Sequence, residues 1–99
     1  MDELPELKDF ETCLNNQFAV ELSDRSIYPL VLVEATPLPR AHAVGQRNVP
    51  FQLKFHGPGP GYLPQQIHPL QHDRLGCFQL FLVPVGQDSD GFLYQAVFN

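Results

Sequence analysis

The chain has no tryptophan, one methionine and only two cysteines among its 99 residues. Cys13 and Cys77 lie far apart and have no partners at the spacing of a metal-binding motif, which favours two reduced, buried thiols over a disulfide. No apolar run is long enough to span a bilayer, and the first residues lack the basic start and apolar core of a secretory signal. We therefore expect a chain that is cytoplasmic as synthesised and does not act at a membrane.

Acidic residues outnumber basic ones, because 11 Asp and Glu against 6 Lys and Arg give a net charge of -5. Nucleic-acid affinity depends mainly on clustered Lys and Arg, so this balance argues against a nucleic-acid-binding protein. The distribution is uneven: residues 35–72 contain no Asp or Glu but hold Arg40, Arg47, Lys54 and all four histidines. This pattern indicates an acidic end and a mildly basic, pH-sensitive loop surface, or else ordinary solvated loop charges.

Short apolar and aromatic runs dominate the last third of the chain. Residues 78–83 and 92–97 are rich in aromatic and aliphatic side chains, and they flank an Asp-Ser-Asp-Gly turn at residues 88–91. The Asp-Gly pair of that turn tolerates the positive φ of a tight hairpin connection. These residues are therefore predicted to form a terminal β-hairpin.

Four more strands are predicted upstream of this hairpin. Apolar and polar residues alternate along residues 17–22 and, most cleanly, along residues 51–55, as in half-buried strands. Residues 28–35 are more continuously apolar, which predicts a strand packed on both faces. Residues 67–72 form the fourth, and Pro69 indicates that one edge of this strand is unpaired.

A short helix is predicted at the N-terminus, because Pro5 suits a first helical turn and Leu7, Phe10 and Leu14 recur at helical spacing. Strands separated by turns, without helices between them, favour an antiparallel meander over parallel units. Residues 1–99 are thus expected to form one β-rich domain. Its predicted fold is a small antiparallel β-barrel or sandwich of about six strands, with the helix lying across an opening.

Most of the chain carries motifs that together resemble one family, and they fall at residues 51–58, 63–65, 72–76, 80–85 and 94–99. That family looks like a group of uncharacterised bacterial domains of unknown function, of about this length. The resemblance implies a shared fold and, since some members are encoded beside phage-tail-collar-like proteins, a role in an assembly. Its motifs are mostly core and turn residues, so it implies no catalytic role. The chain departs from the family at Gln65-Gln66, where the family turn has Gln-Gly.

Three histidines, His56, His68 and His72, suggest a zinc site, because neutral imidazoles are common zinc ligands. On one straight strand, however, His68 and His72 are separated by roughly 13 Å, too far for both to lie about 2.1 Å from one metal ion. Only a bend at Pro69 would bring them together. We predict structural or solvent-exposed histidines and no metal, with His72 hydrogen-bonded to a turn at residues 73–76.

Other patterns that carry chemistry are incomplete. Ser23, Ser26 and Ser89 lie in polar turns outside any Gly-x-Ser-x-Gly context. The acidic hairpin turn is too short for a calcium-binding loop, and the glycines of residues 57–61 lack the Lys-Ser/Thr of a phosphate-binding loop. We accordingly predict that the chain is not an enzyme and uses no cofactor.

Two long connections, residues 36–50 and 56–66, are the predicted working surface, because loops on a rigid β scaffold are common binding sites. Loops that tolerate change without a function are the alternative. Arg and Tyr are frequent interface anchors, since each joins contact area to directional hydrogen bonding. The predicted partner-binding residues are Arg40, His42, Arg47, Tyr62 and Gln65.

The leading functional hypothesis is a noncatalytic protein-interaction or assembly module, an accessory of a phage-tail-like or other multiprotein structure. It would bind a protein partner, or a second copy of itself, through these loops or through an unpaired sheet edge. The competing hypothesis is a small-ligand or metal-binding β-barrel. In that case the interior would be lined by Phe55, His68, His72 and Tyr94.

Overall fold

Six strands and one short helix make up the fold in this computed structural model, which describes residues 5–38, 50–59 and 61–98. In chain order the elements are α1 (Leu7–Glu11), β1 (Gln17–Glu21), β2 (Ile27–Pro37), β3 (Phe51–Pro58), β4 (Gln66–His72), β5 (Gly76–Asp88) and β6 (Gly91–Phe98). Across these ranges, no helix is long and apolar enough to cross a membrane.

The strands close into a barrel in the order β1-β2-β3-β6-β5-β4, and β4 pairs back onto β1. All neighbouring strands run antiparallel. The chain is therefore mainly β, as predicted, and of the two predicted architectures the barrel is the one that forms. Because β3 and β4 lie on opposite sides of the barrel, the connection between them crosses one of its ends.

Alternation along each strand separates the interior of the barrel from its exterior. On β3, Phe51, Leu53 and Phe55 point inward and are buried, whereas Gln52 and Lys54 lie outside. All six strands contribute apolar side chains to one continuous core. The interior of this small barrel is consequently filled by its own side chains.

The predicted burial of residues 28–35 on both faces is wrong. Only one face of β2 points into the core, and Val33 on this strand is 44% exposed. A register shift between Leu32 and Glu34 marks a β-bulge at that point. A closed barrel has a single interior, so a strand in it is half-buried even when its sequence is apolar throughout.

The helix is shorter than its apolar repeat predicts. It ends at Glu11, and Leu14 lies beyond it and is exposed. Asn15 then adopts a left-handed backbone conformation with φ of 68°, which asparagine tolerates better than most residues. This residue redirects the chain from the end of α1 into β1.

Phe10 closes one end of the barrel. Its side chain is fully buried, and its ring centroid lies 5.8 to 6.4 Å from those of Phe18, Phe51, Phe78 and Phe98. These four rings come from four different strands, so one side chain of α1 joins the core at the end of the barrel. The helix thus lies across an opening, as predicted.

Two tyrosines and the β3–β4 connection close the other end. The buried Leu63 donates its backbone N–H to the hydroxyl of Tyr94 at 2.8 Å. Tyr28 donates its hydroxyl proton to the carbonyl of Pro58 at 2.8 Å and lies 3.1 Å from the Tyr94 oxygen. Since Tyr28 has used its only proton, Tyr94 donates to Tyr28. The result is a relay from Leu63 through both hydroxyls to Pro58, in which every proton is used.

Removing one hydroxyl from this relay should destabilise the barrel. We expect Tyr94→Phe to lower the free energy of unfolding by about 1–3 kcal/mol, because the buried N–H of Leu63 loses its acceptor. Tyr62→Phe is the matched control, since Tyr62 is 64% exposed and its hydroxyl is open to water. Urea unfolding of both variants measures the difference, and equal effects would show that the relay contributes no stability.

Candidate functional site

Three of the predicted partner-binding residues, Arg40, His42 and Arg47, lie outside the described residues. The residues that flank their segment are described, and the Leu38 N–H donates to the Pro50 carbonyl at 2.8 Å. Both flanking residues lie at the barrel end that α1 closes. The role of these three residues in partner binding therefore stays a prediction.

The other two, Tyr62 and Gln65, are exposed at the opposite barrel end, in the connection between β3 and β4. The ring of Tyr62 packs on that of Phe92 with a centroid distance of 5.3 Å, and Gln65 directly precedes β4. The described ends of the two predicted loops are thus on opposite sides of the molecule. Whether either loop binds a partner stays a prediction.

The side chains of His56 and His68 are engaged in separate contacts. His68 is buried and donates from Nε2 to the carbonyl of Pro64 at 2.7 Å. His56 lies outside, with Nε2 3.2 Å from a carboxylate oxygen of Asp88. Among the residues that the structure describes, no three His, Cys, Asp or Glu side chains come together as a metal-binding group.

His72 is a structural residue at the end of β4. Its Nδ1 accepts the backbone N–H groups of Arg74 and Leu75 at 3.1 and 3.3 Å, and its Nε2 donates to the side-chain oxygen of Asn16 at 3.1 Å. The predicted hydrogen bond from His72 to the following turn is therefore confirmed. Its ring also packs on Phe18 of β1 at a centroid distance of 4.5 Å.

Arg74 completes this arrangement from the turn between β4 and β5. One guanidinium nitrogen donates to the Asn16 side-chain oxygen at 3.2 Å and to the Thr12 carbonyl at 3.1 Å, and lies 3.3 Å from the sulfur of Cys13. We call Asn16, His72 and Arg74 the seam clamp, because they join the start of β1 to the end of β4. Only two residue pairs connect these two strands in the ladder.

Titration of His72 is coupled to this clamp. Burial lowers the pKa of His72 below its ordinary value of 6.5, and the positive charge of Arg74 lowers it further, against the opposing effect of Asp73. The neutral ring is also the form that accepts two backbone N–H groups at Nδ1. Protonation of His72 therefore favours an open clamp.

Acid should weaken the fold through His72. The unfolded chain takes up the His72 proton at a higher pH than the folded chain, so this contribution to stability is complete above pH 6.5 and is lost as the pH falls below it. We expect His72→Asn, which keeps an acceptor near the Nδ1 position, to reduce the fall in unfolding free energy between about pH 7.5 and about pH 5.5. Urea unfolding at both pH values tests this. An unchanged pH slope in the variant would contradict it.

A shallow groove follows the seam between β1 and β4 on the outside of the barrel. Pro69 lies just where the two-pair ladder ends, in line with the unpaired edge predicted for this strand. The groove has a volume of about 230 Å³. It is lined by Ala19, Glu21, Ile27, Pro69, Leu70, Gln71 and Cys77. Cys77 is exposed, so the prediction of two buried thiols is right for Cys13 alone.

The exterior of β4, β5 and β6 is nearly free of charge. These strands contain no Lys, Arg or Glu, and their one Asp, Asp88, is the last residue of β5. The outsides of β1, β2 and β3, in contrast, carry Glu21, Glu34 and Lys54. We call the exterior of β4, β5 and β6 the β4–β6 face.

Large apolar side chains lie exposed in a row across this face. Ile67 on β4 is paired with Phe81 on β5, and they are 59% and 50% exposed. Val97 on β6 is 51% exposed. It lies two residues after Gln95, which pairs with Val83 of β5, and it is on the side of that pair nearer Phe81. We call Ile67, Phe81 and Val97 the apolar row. Large apolar side chains exposed on neighbouring strands commonly mark a protein-binding site.

The sequence contains a signal for this face that the loop-based prediction does not use. Between Arg74 and Asp88 there is no charged residue, and there is none in β6 either. Interface cores are depleted in charged residues and enriched in aromatic ones. A solvated barrel exterior is instead expected to carry charges at many of its outward positions.

Comparison with known proteins shows a family but no described relative. A family model described as "Domain of unknown function (DUF6916)" matches residues 5–98. No curated protein and no solved structure matches the chain. The match confirms the resemblance to a domain of unknown function, and it covers every strand of the barrel.

Proposed function

The chain belongs to the DUF6916 family of domains of unknown function, and we propose that it acts as a noncatalytic protein-interaction module within a larger assembly. The observation that supports this most strongly is the β4–β6 face. Three neighbouring strands expose Ile67, Phe81 and Val97 without an intervening charge. Desolvating such a surface costs little, because no ionic group has to lose its hydration.

The closed barrel also favours binding through a strand's side chains over binding through its backbone. Pairing around the barrel leaves few unpaired strand edges, so extension of the sheet by another chain is limited to short stretches such as the β1–β4 seam. The exterior of three adjacent strands can instead contact a second sheet or a loop through its side chains. The β4–β6 face is therefore the first version of the proposal, and the loop carrying Arg40 and Arg47 is the second.

The competing function, a small-ligand or metal-binding barrel, has less support from the geometry. Phe55 and Tyr94 are packed inside the core, and His68 and His72 use ring nitrogens in hydrogen bonds within the chain. A metal or ligand recovered in stoichiometric amount, and lost on replacing both histidines while the fold survives, would favour this function instead.

The proposed absence of catalysis is supported by the structural roles of two groups whose pKa values are shifted, Tyr28 and His72. Burial and the hydrogen bond to Tyr94 raise the pKa of Tyr28, and burial lowers that of His72, but both groups hold the barrel together. For the assembly itself, the resemblance to domains encoded beside phage-tail-collar-like proteins makes a phage-tail-like structure the first to test. We propose that the chain is made in the cytoplasm and incorporated into this larger assembly.

Native mass spectrometry on the protein isolated gently from its natural host tests this function. We expect a reproducible complex with a polypeptide for the wild type, and its loss in Phe81→Lys and Val97→Lys, because a charge at either position must be desolvated on binding. Val33→Lys is the matched control, since Val33 is exposed on β2, outside the β4–β6 face.

An Arg40→Ala and Arg47→Ala double variant separates the two versions of the proposal. A complex that survives in this variant and is lost in the face variants supports binding through the β4–β6 face. The reverse result moves the site to the loop. If the wild type is recovered without any other polypeptide bound to it, the proposal of a stable interaction module is contradicted.

A further inference from the structure

We infer that the β4–β6 face binds the same face of a second copy of this chain, giving a dimer with two-fold symmetry. This inference rests on the proposed interaction function and names its first partner. In a two-fold interface the same patch is used by both copies, so the patch must be complementary to itself. The β4–β6 face meets this requirement in its charge, its polar groups and its exposed apolar side chains.

The charge of the face favours pairing of two copies. The chain has a net charge of -5, so two copies repel each other, and an interface that brought acidic groups together would add to that cost. On the β4–β6 face the only charged residue of the three strands is Asp88, at the tip of the β5–β6 hairpin. Two copies can therefore meet over the centre of this face without placing like charges opposite each other.

The polar groups on the face also favour pairing of two copies. Gln71, Gln79 and Gln95 occupy positions on its strands, and each side-chain amide carries both hydrogen-bond donors and an acceptor. A surface with glutamines can thus satisfy an identical surface, which a surface with only carboxylates or only ammonium groups cannot. Gln95 already donates its side-chain N–H to the side-chain oxygen of Gln52 on β3 at 2.6 Å, so amide pairing of this kind occurs within one copy.

The apolar row also favours pairing, because Ile67, Phe81 and Val97 lie on all three strands and each is at least 50% exposed. Two sheets pack face to face about 10 Å apart when such side chains interdigitate. Three strands of about eight residues cover roughly 15 by 25 Å, less than the ~800 Å² that each partner contributes to a standard interface. We therefore expect a weak dimer.

Sedimentation velocity of the full chain, from low micromolar to near-millimolar concentration, tests the inference. For the wild type, the weight-average mass should rise with concentration and level off at twice the chain mass. Phe81→Lys should weaken the dimer more than about 30-fold, the effect of a central interface residue. Val33→Lys should associate as the wild type does, and urea unfolding of each variant confirms that its fold is intact.

Raising the salt concentration distinguishes this dimer from a charge-mediated one. Association through the apolar row should persist or strengthen in salt, whereas pairing of the acidic end with basic loop residues should dissolve. A wild type that stays monomeric throughout, a dimer unaffected by Phe81→Lys, a dimer that salt dissolves, or growth beyond two copies would each overturn the inference. If the wild type is monomeric but binds a host partner, and Phe81→Lys abolishes that binding, only self-pairing fails and the proposed function stands.

Discussion

The junction between β1 and β4 decides whether the six strands form a barrel or an open sheet, and only two residue pairs hold it in the ladder. Side chains supply what the backbone does not: Asn16 accepts from His72 and Arg74, and Phe18 packs on the His72 ring. These contacts join residues about 56 positions apart in the sequence, so they close a long loop whose entropic cost must be met by packing and hydrogen bonding together. The closed barrel, its filled interior and the lack of a long free edge all depend on this junction.

Closure determines where the molecule can act. Phe10 fills one end, the Tyr28–Tyr94 relay fixes Leu63 across the other, and the core occupies the space between them. With both the interior and most strand edges used, the exterior is the surface that remains for recognition. Charge then distinguishes one part of that exterior from the rest, because β4, β5 and β6 combine exposed apolar side chains with an almost complete lack of ionic groups.

Local patterns predict most of the fold, and non-local contacts explain what they miss. Alternation along β3 and the Asp-Gly turn before β6 predict strands and a hairpin directly, since both depend on nearest neighbours. The choice of barrel over sandwich depends on the seam clamp, whose members come from separate segments. The β4–β6 face is hidden for a related reason: an apolar run shows that both sides of a strand are apolar, but only the closed barrel shows which side is outside. The loop residues Arg40 and Arg47 stay a prediction, because they lie outside the described residues.

We propose that the β4–β6 face is covered by protein when the chain is at work. Carbene footprinting with a mass-spectrometric readout tests this. Labelling is compared between the complex recovered from the natural host and the isolated, dilute chain. We expect labelling at Ile67, Phe81 and Val97 to fall in the complex and labelling at Val33 to stay unchanged. Equal labelling of the apolar row in both states, with protection confined to other parts of the surface, would contradict it.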